Sequence, residues 1–368
     1  MEFTIIKQDF AKSLSIISRN SSQRPNLPVL ANLLIEAKDS TIRLSATNLE
    51  IGISLNINAK VISSGKTTVP AKILFELISS LGGEEINCAL DNQTFKIKSN
   101  KSSTSLTTID PAEFPSIPKS AGKETFKIGA EKLAGVIFKT TFASAIDESR
   151  PILTGVLIES DGKKVFFVAT DGYRLSFSKL DIPTPQFKTV IPSRVLSEVG
   201  RIAKDNPQDS VEVFLANESN QIIFKFGKIE VVSRLIEGEY PNWQKIIPES
   251  FTSKAQTEKD SFLESIKLSA IFAKDSGNVI KLKFEKDRLI ILANTKEIGE
   301  HIGEIPTKLD GPGGEIAFNY RYLIEILSNI ESQTVNFELI ESLNPARITL
   351  DEEPAENFFH LIMPVRVQ

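Results

Sequence analysis

The chain is poor in the residues that carry most enzymatic and metal chemistry. Its 368 residues include one cysteine, Cys88, and two histidines, His301 and His360. An internal disulfide needs two cysteines, and a Cys/His zinc cluster needs four ligands close together. Both are excluded. Long apolar runs are missing too: stretches such as VFFVA last a few residues, and MEFTIIKQDF at the start lacks a basic segment followed by an apolar one. No membrane span or secretory signal is legible, and the expected location is cytoplasmic.

Catalytic signatures are equally scarce. His301 lies in EIGEHIGE and His360 in the strand-like NFFHLIMP, neither with the second histidine four residues away that a zinc helix needs. LDGPGGE lacks the GK[ST] ending of a phosphate loop, and LDEEPAE reads as a solvated acidic turn. No cofactor is implied. What remains is an ordinary globular composition, 41% apolar and 24% charged with a net charge of -4. At ~100 to 200 residues per domain, the length predicts two or three domains.

A threefold internal repeat organises the chain. LPVLANLLIEAKDSTIRLSATNLEIGIS aligns with RPILTGVLIESDGKKVFFVATDGYRLSFS, with Pro28 and Pro151, and Thr47 and Thr170, each 123 apart. A fainter copy, GNVIKLKFEKDRLIILANTKEIGEHIGE, places Asn294 a further 124 along. Before each copy lies a segment of helical period: Asp9–Arg19, Glu131–Thr141 and Phe262–Lys274. After each comes a short strand entering a second helix, at Ala71–Leu81, Ser193–Lys204 and Tyr320–Ile330. Pro70 and Pro192 suit a first helical turn, and Asn319 an N-cap. Alternating strands close each copy. The expectation is an α+β protein of three similar domains, residues 1–122, 123–251 and 252–368, each with two helices packed on antiparallel sheets.

Charge divides by element. The six helical segments hold eleven basic residues against six acids, a net charge of +5, and the rest of the chain holds 32 against 41. If the helices share one surface, that surface would attract phosphate backbones without reading bases. The alternative is that surface helices simply favour Lys and Arg.

The stretch ATDGYRLS, Ala169–Ser176, sets Asp171, Tyr173 and Arg174 within four residues. An acid-base site there is one reading. The first copy argues against it, because ATNLEIGIS keeps the frame but replaces the polar set with Asn48, Leu49 and Glu50. An Asp-Gly turn accounts for Asp171 and Gly172. It does not account for Tyr173 and Arg174.

Together, the repeat and the segments MEFTIIKQDF, RPNLPVLANLLIE, SRPILTGVLIE, VATDGYRLS, EGEYPNWQKIIP, AFNYRYL and LIMPVRV resemble the bacterial DNA polymerase III beta subunit family, the sliding clamps. The resemblance runs the whole chain in order. It implies a non-catalytic processivity factor: a head-to-tail homodimeric ring with helices lining the hole, encircling duplex DNA without sequence preference. Its partners would be the replicative polymerase, the clamp loader and other replication and repair proteins, docking by short peptides that end in hydrophobic residues.

Carried onto this sequence, the resemblance places the peptide pocket at Leu153, Thr170, Gly172, Tyr173, Arg174, Leu175, Pro241, Lys245, Ile246, Asn319, Tyr322, Leu343, Pro345, Ile362, Met363, Pro364, Val365 and Arg366. It puts DNA contacts at Arg24, with Lys12, Arg194 and Arg201 on helices. The subunit contact would join Ile271 and Phe272 to Leu106 and the helix carrying Leu74. Tyr173 stands where the family often has histidine, Lys245 where it often has arginine, and Gln368 extends past the usual apolar terminus. An enzyme centred on Asp171 and Arg174, and a monomeric scaffold, are the competing readings.

Overall fold

The computed structural model describes residues 1–21, 27–100, 102–117, 125–216, 220–295 and 299–366. Within them the repeat is a strand, a helix, a run of strands, a second helix and three closing strands. The first copy comprises β1 (Glu2–Ile6), α1 (Lys7–Ile17), β2 (Asn32–Lys38), β3 (Thr41–Thr47), β4 (Ile51–Asn58), β5 (Lys60–Ser63), β6 (Gly65–Pro70), α2 (Ala71–Ser80), β7 (Glu85–Asp91), β8 (Thr94–Ser99) and β9 (Ser102–Thr107). The second comprises β10 (Phe126–Gly129), α3 (Ala130–Thr140), β11 (Gly155–Ser160), β12 (Val165–Thr170), β13 (Arg174–Leu180), β14 (Phe187–Pro192), α4 (Ser193–Asp205), β15 (Ser210–Ala216), β16 (Gln221–Phe226) and β17 (Ile229–Arg234). The third comprises β18 (Ser253–Glu258), α5 (Lys259–Ala273), β19 (Val279–Phe284), β20 (Arg288–Thr295), β21 (Gly299–Asp310), β22 (Gly314–Asn319), α6 (Tyr320–Asn329), β23 (Thr334–Leu339), β24 (Ala346–Leu350) and β25 (Phe358–Ile362). No helix among the described residues is long and apolar enough to cross a membrane.

The helices fall where the apolar period places them. In α1 the buried stripe is Phe10, Leu14 and Ile17, and in α5 it includes Phe262, Ile266 and Ala273. The expected place of the two prolines is corrected by one residue. Pro70 and Pro192 end β6 and β14, and the helices begin at Ala71 and Ser193. Proline lacks an N–H donor and fixes its own φ at about −65°, and both suit the last strand residue before a helix; Pro70 sits at φ −57°. Asn319 ends β22 at the matching place and caps α6, its Oδ1 accepting from the Arg321 N–H at 3.0 Å.

The chain folds as two compact units. The first is Met1–Glu131 with Arg201–Leu235, and the second is Lys132–Gly200 with Ile236–Gln368. Sheet pairing, rather than the repeat boundary, decides this division. In the first unit a five-stranded sheet runs β5-β1-β7-β8-β9 and an eight-stranded sheet runs β10-β15-β16-β17-β4-β3-β2-β6. The second unit holds a twelve-stranded sheet, β14-β11-β12-β13-β25-β24-β23-β18-β21-β20-β19-β22. Hydrogen bonds therefore join β17 to β4, and β25 to β13, across consecutive copies.

Those two junctions have the same register. Counting from the residue four places before each copy's first helix, one transverse row is Phe126, Val213, Phe224 and Val231, which meets Ile53 of β4. The matching row is Ala255, Phe337, Ile348 and His360, which meets Ser176 of β13. A third such row, Phe3, Cys88, Ile97 and Thr104, ends at β9 with no further strand beyond it among the described residues.

Candidate functional site

The turn between β12 and β13 is built from its own side chains. Thr170 Oγ1 donates to the Arg174 carbonyl at 2.6 Å and accepts from the Gly172 N–H at 3.0 Å. Asp171 Oδ1 accepts from the N–H groups of Tyr173 and Arg174 at 2.9 and 3.1 Å, an Asx-type turn. Gly172 sits at φ +92°, where a Cβ is strained. A Cβ there would also lie 3.2 Å from Arg150 Nη1. Asp171 Oδ2 receives the Arg174 Nε–H at 3.1 Å, so both carboxylate oxygens are engaged in holding the turn.

Arg174 is nearly fully buried, which is tolerable only because its guanidinium is surrounded by partners. Besides Asp171, Nη2 donates to the Phe142 carbonyl at 2.7 Å. Nη1 lies 2.5 Å from Glu325 Oε2, close enough for an ion pair but not aligned as a hydrogen bond. The Tyr322 ring is 4.5 Å from the guanidinium carbon and the Phe142 ring 5.6 Å. Burial, and then the Asp171 carboxylate, raise the Tyr322 phenol above its ordinary range. Arg174 thus braces the turn against α6.

Beside this turn opens a cavity of about 210 Å³. Ten of the candidate docking residues line it: Leu153, Thr170, Gly172, Tyr173, Arg174, Leu175, Pro241, Ile246, Pro345 and Met363. Sequence reasoning missed four others, Arg150, Asn242, Trp243 and Leu361. Trp243, the chain's single tryptophan, could have been singled out within EGEYPNWQKIIP. Its ring packs on Phe177 at 5.2 Å, and Phe177 stacks on Phe359 at 4.7 Å. Tyr240 fixes the same segment by donating its hydroxyl to the Val168 carbonyl at 3.2 Å, and burial raises its phenol pKa. Met363 is held by its N–H, which donates to the Tyr173 carbonyl at 2.9 Å. Largely apolar walls with a few fixed polar groups suit a small apolar side chain better than a polar substrate.

The remaining candidates lie outside the cavity wall. Ile362 is fully buried in the core, Asn319 is used as a helix cap, and Tyr322 stacks on Arg174. Leu343, Lys245 and Arg366 are exposed and Pro364 half-buried, while the Val365 N–H donates to the Ala317 carbonyl at 2.8 Å. Gln368 lies outside the described residues.

On α5, Ile271 is 63% exposed and Phe272 half-buried, stacked on His301 with centroids 5.8 Å apart. Leu74 is wholly buried in its own core, and the exposed apolar residue of α2 is Ile73, one place earlier. Helical period explains the difference, since Ala71, Leu74 and Ile78 form the inward stripe. Leu106 is half-buried on β9, the edge of its sheet. Lys12, Arg194 and Arg201 are exposed on their helices, and Arg24 lies outside the described residues. Of the eleven cations in the six segments of helical period, ten are exposed and Lys139 pairs with Glu353; the helices also include Lys7 and Lys259, both half-buried. In the acidic loop, Asp351 accepts from Asn336 and Thr334 at 2.9 and 2.7 Å. Among the described residues no group of three or more His, Cys, Asp or Glu side chains is placed to hold a metal ion.

Comparison with known proteins agrees with this architecture along its length. Models of the DNA polymerase III beta subunit match in order: the N-terminal domain at residues 1–118, the central domain at 127–242 and the C-terminal domain at 244–366. The beta sliding clamp of Staphylococcus aureus is 29% identical over 380 residues, covering 100% of this chain and 99% of that one. The DNA polymerase III beta chain of Streptococcus pneumoniae superposes with a TM-score of 0.92 at 29% identity, and the beta subunit of Streptococcus pyogenes with 0.93 at 28%, both over 100% of each chain. With three domain models matched in order over nearly the whole chain, and with the repeated sheet-and-helix architecture to match, the chain belongs to the DNA polymerase III beta subunit family, the bacterial sliding clamps.

Proposed function

We propose that two copies of this chain close head to tail into a ring that encircles duplex DNA and tethers the replicative polymerase. The repeated strand junction carries this reading. Ile53 meets Val231 and Ser176 meets His360, and by sheet register the third equivalent of Ile53 and Ser176 is His301, opposite Ala293 as they are opposite Ala46 and Ala169. The third equivalent of Val231 and His360 is Thr104 at the β9 edge. Pairing β9 of one copy with β21 of another, Thr104 opposite His301, repeats the junction a third time. Such a contact is heterologous, and two of them close a ring of two chains. Exposed apolar residues available to that contact are Ile271 on α5 and, in place of Leu74, Ile73 on α2.

Three domains per chain, divided near residues 122 and 251, would place six similar units around the ring. The exposed cations Lys12, Arg194 and Arg201 would meet phosphates diffusely, which holds duplex DNA without fixing the protein at one sequence. The role is mechanical rather than catalytic, and it suits a bacterial cytoplasm. Partners would insert an apolar peptide end into the cavity at Leu175, Trp243 and Met363.

Loading the chain on nicked circular DNA with its clamp loader and then linearising the circle tests the topology. The ring is expected to slide off the ends; retention on the linear product would refute encirclement. For the cavity, Met363→Asp places a charge against apolar walls. It is expected to weaken binding of a polymerase-derived peptide at least ~10-fold, through the cost of burying an unpaired charge, while leaving the dimer intact. Unchanged peptide affinity would remove the cavity from the proposal.

A further inference from the structure

The turn at Thr170–Arg174 has a twin in the first copy. Thr47 Oγ1 donates to the Ile51 carbonyl at 2.9 Å and accepts from the Leu49 N–H at 3.0 Å. Asn48 Oδ1 accepts from the N–H groups of Glu50 and Ile51 at 3.1 and 2.9 Å. Each of these bonds matches one at Thr170 or Asp171. The next segment arrives in the same way, since the Arg234 N–H donates to the Glu50 carbonyl at 3.2 Å as the Met363 N–H does to Tyr173 at 2.9 Å. Leu30, the counterpart of Leu153, is likewise buried.

The two turns differ in what sits over them. Where the second copy has Leu175 on the cavity wall, the first has Gly52. A Cβ on Gly52 would lie 2.8 Å from Ile117 Cγ2, 3.4 Å from Cγ1 and 3.5 Å from Cδ1. Ile117 therefore rests directly on the glycine. It follows the buried Phe114 by three residues, as Trp243 follows the buried Tyr240. The same segment thus leaves an open cavity in one copy and seats an aliphatic side chain in the other.

We infer that the first turn frames a second, closed copy of the pocket, in which Ile117, the counterpart of the wall residue Trp243, sits down on Gly52 and fills the space, limiting apolar peptide docking to the cavity beside Trp243. This rests on reading that cavity as a peptide site. The ligand class of the latent site is a single aliphatic side chain of the size Ile117 places there.

The test uses the full chain and its Ile117→Ala variant, crystallised under xenon and separately titrated with N-acetyl-Leu-Phe amide while the methyl resonances of Leu30 and Ile51 at the first turn and of Leu153 and Leu175 at the second are followed. Wild type is expected to hold xenon beside Trp243 and not over Gly52. The variant is expected to gain a xenon over Gly52 and saturable shifts at Leu30 and Ile51, doubling the sites per chain. A folded variant with no new xenon, or wild type with both sites open, overturns the plug. If the dipeptide shifts methyls at neither turn while the new xenon is present, the peptide reading fails and the plug stands. Gly52→Ala gives a separate readout: it is expected to lower Tm in the wild-type background and to be tolerated beside Ile117→Ala. An unchanged Tm for Gly52→Ala alone also overturns the plug.

Discussion

His360 shows how far a strand residue's chemistry depends on what packs against it. It is fully buried, its ring tilted against Phe142 with centroids 5.4 Å apart, and neither ring nitrogen has a hydrogen-bond partner. Burial, and then the Arg174 charge, push its pKa down from 6.5 to about 3. The unfolded chain takes up this proton near pH 6.5 and the folded chain does not. Stability from this group is therefore complete above about pH 6.5 and is lost as pH falls toward the folded value, by up to about 1.4 kcal/mol per pH unit. Urea denaturation of wild type and His360→Phe between pH 7 and 4 should show a shallower fall for the variant; parallel curves would exclude His360 as the source. NFFHLIMP showed a histidine in an apolar strand, but not the cation beside it. Arg174 comes from a strand far away in sequence.

Single elements were legible where local physics decides them. The helices follow apolar period, and Asn319 caps α6 because its short side chain reaches the first free N–H groups. The twin turns were visible as a frame, but the comparison of letters hid their shared backbone. Leu49 adopts φ +77° and Gly172 φ +92°. A left-handed leucine costs roughly 1–2 kcal/mol, partly offset in a glycine variant by the entropy of the unfolded chain. Leu49→Gly should therefore raise stability slightly, by up to about 1 kcal/mol, whereas Gly172→Ala should lower it by about 1–2 kcal/mol. Denaturant midpoints at unchanged m-value check both. A neutral Gly172→Ala would mean that the turn relaxes and would overturn the expectation.

At the scale of the whole molecule, the strand junctions make the most specific statement about assembly. If β9 of one copy pairs with β21 of another in the inherited register, cysteines placed by Thr104→Cys and His301→Cys should be joined between chains by a short bis-maleimide. The one-residue slip, Thr104→Cys with Glu300→Cys, should react less, because a slip sends the side chain to the opposite sheet face. Native Cys88 is buried and gives a quiet background. Equal yields from both pairs, or monomers only by light scattering at micromolar concentration, would count against the junction.

By itself the sequence determined the threefold repeat, the helices, the absence of a disulfide framework and the family resemblance, because each depends on local spacing or on counts. Only the tertiary structure decided which residues wall the cavity and which merely support it. The resemblance grouped Asn319, Tyr322 and Ile362 as one pocket, yet one caps a helix, one stacks on Arg174 and one fills the core. The structure also decided that Leu74 points inward and that Ile117 covers Gly52. Those outcomes depend on long-range packing, where the side chain that fills a space is set by strands and turns distant in the chain.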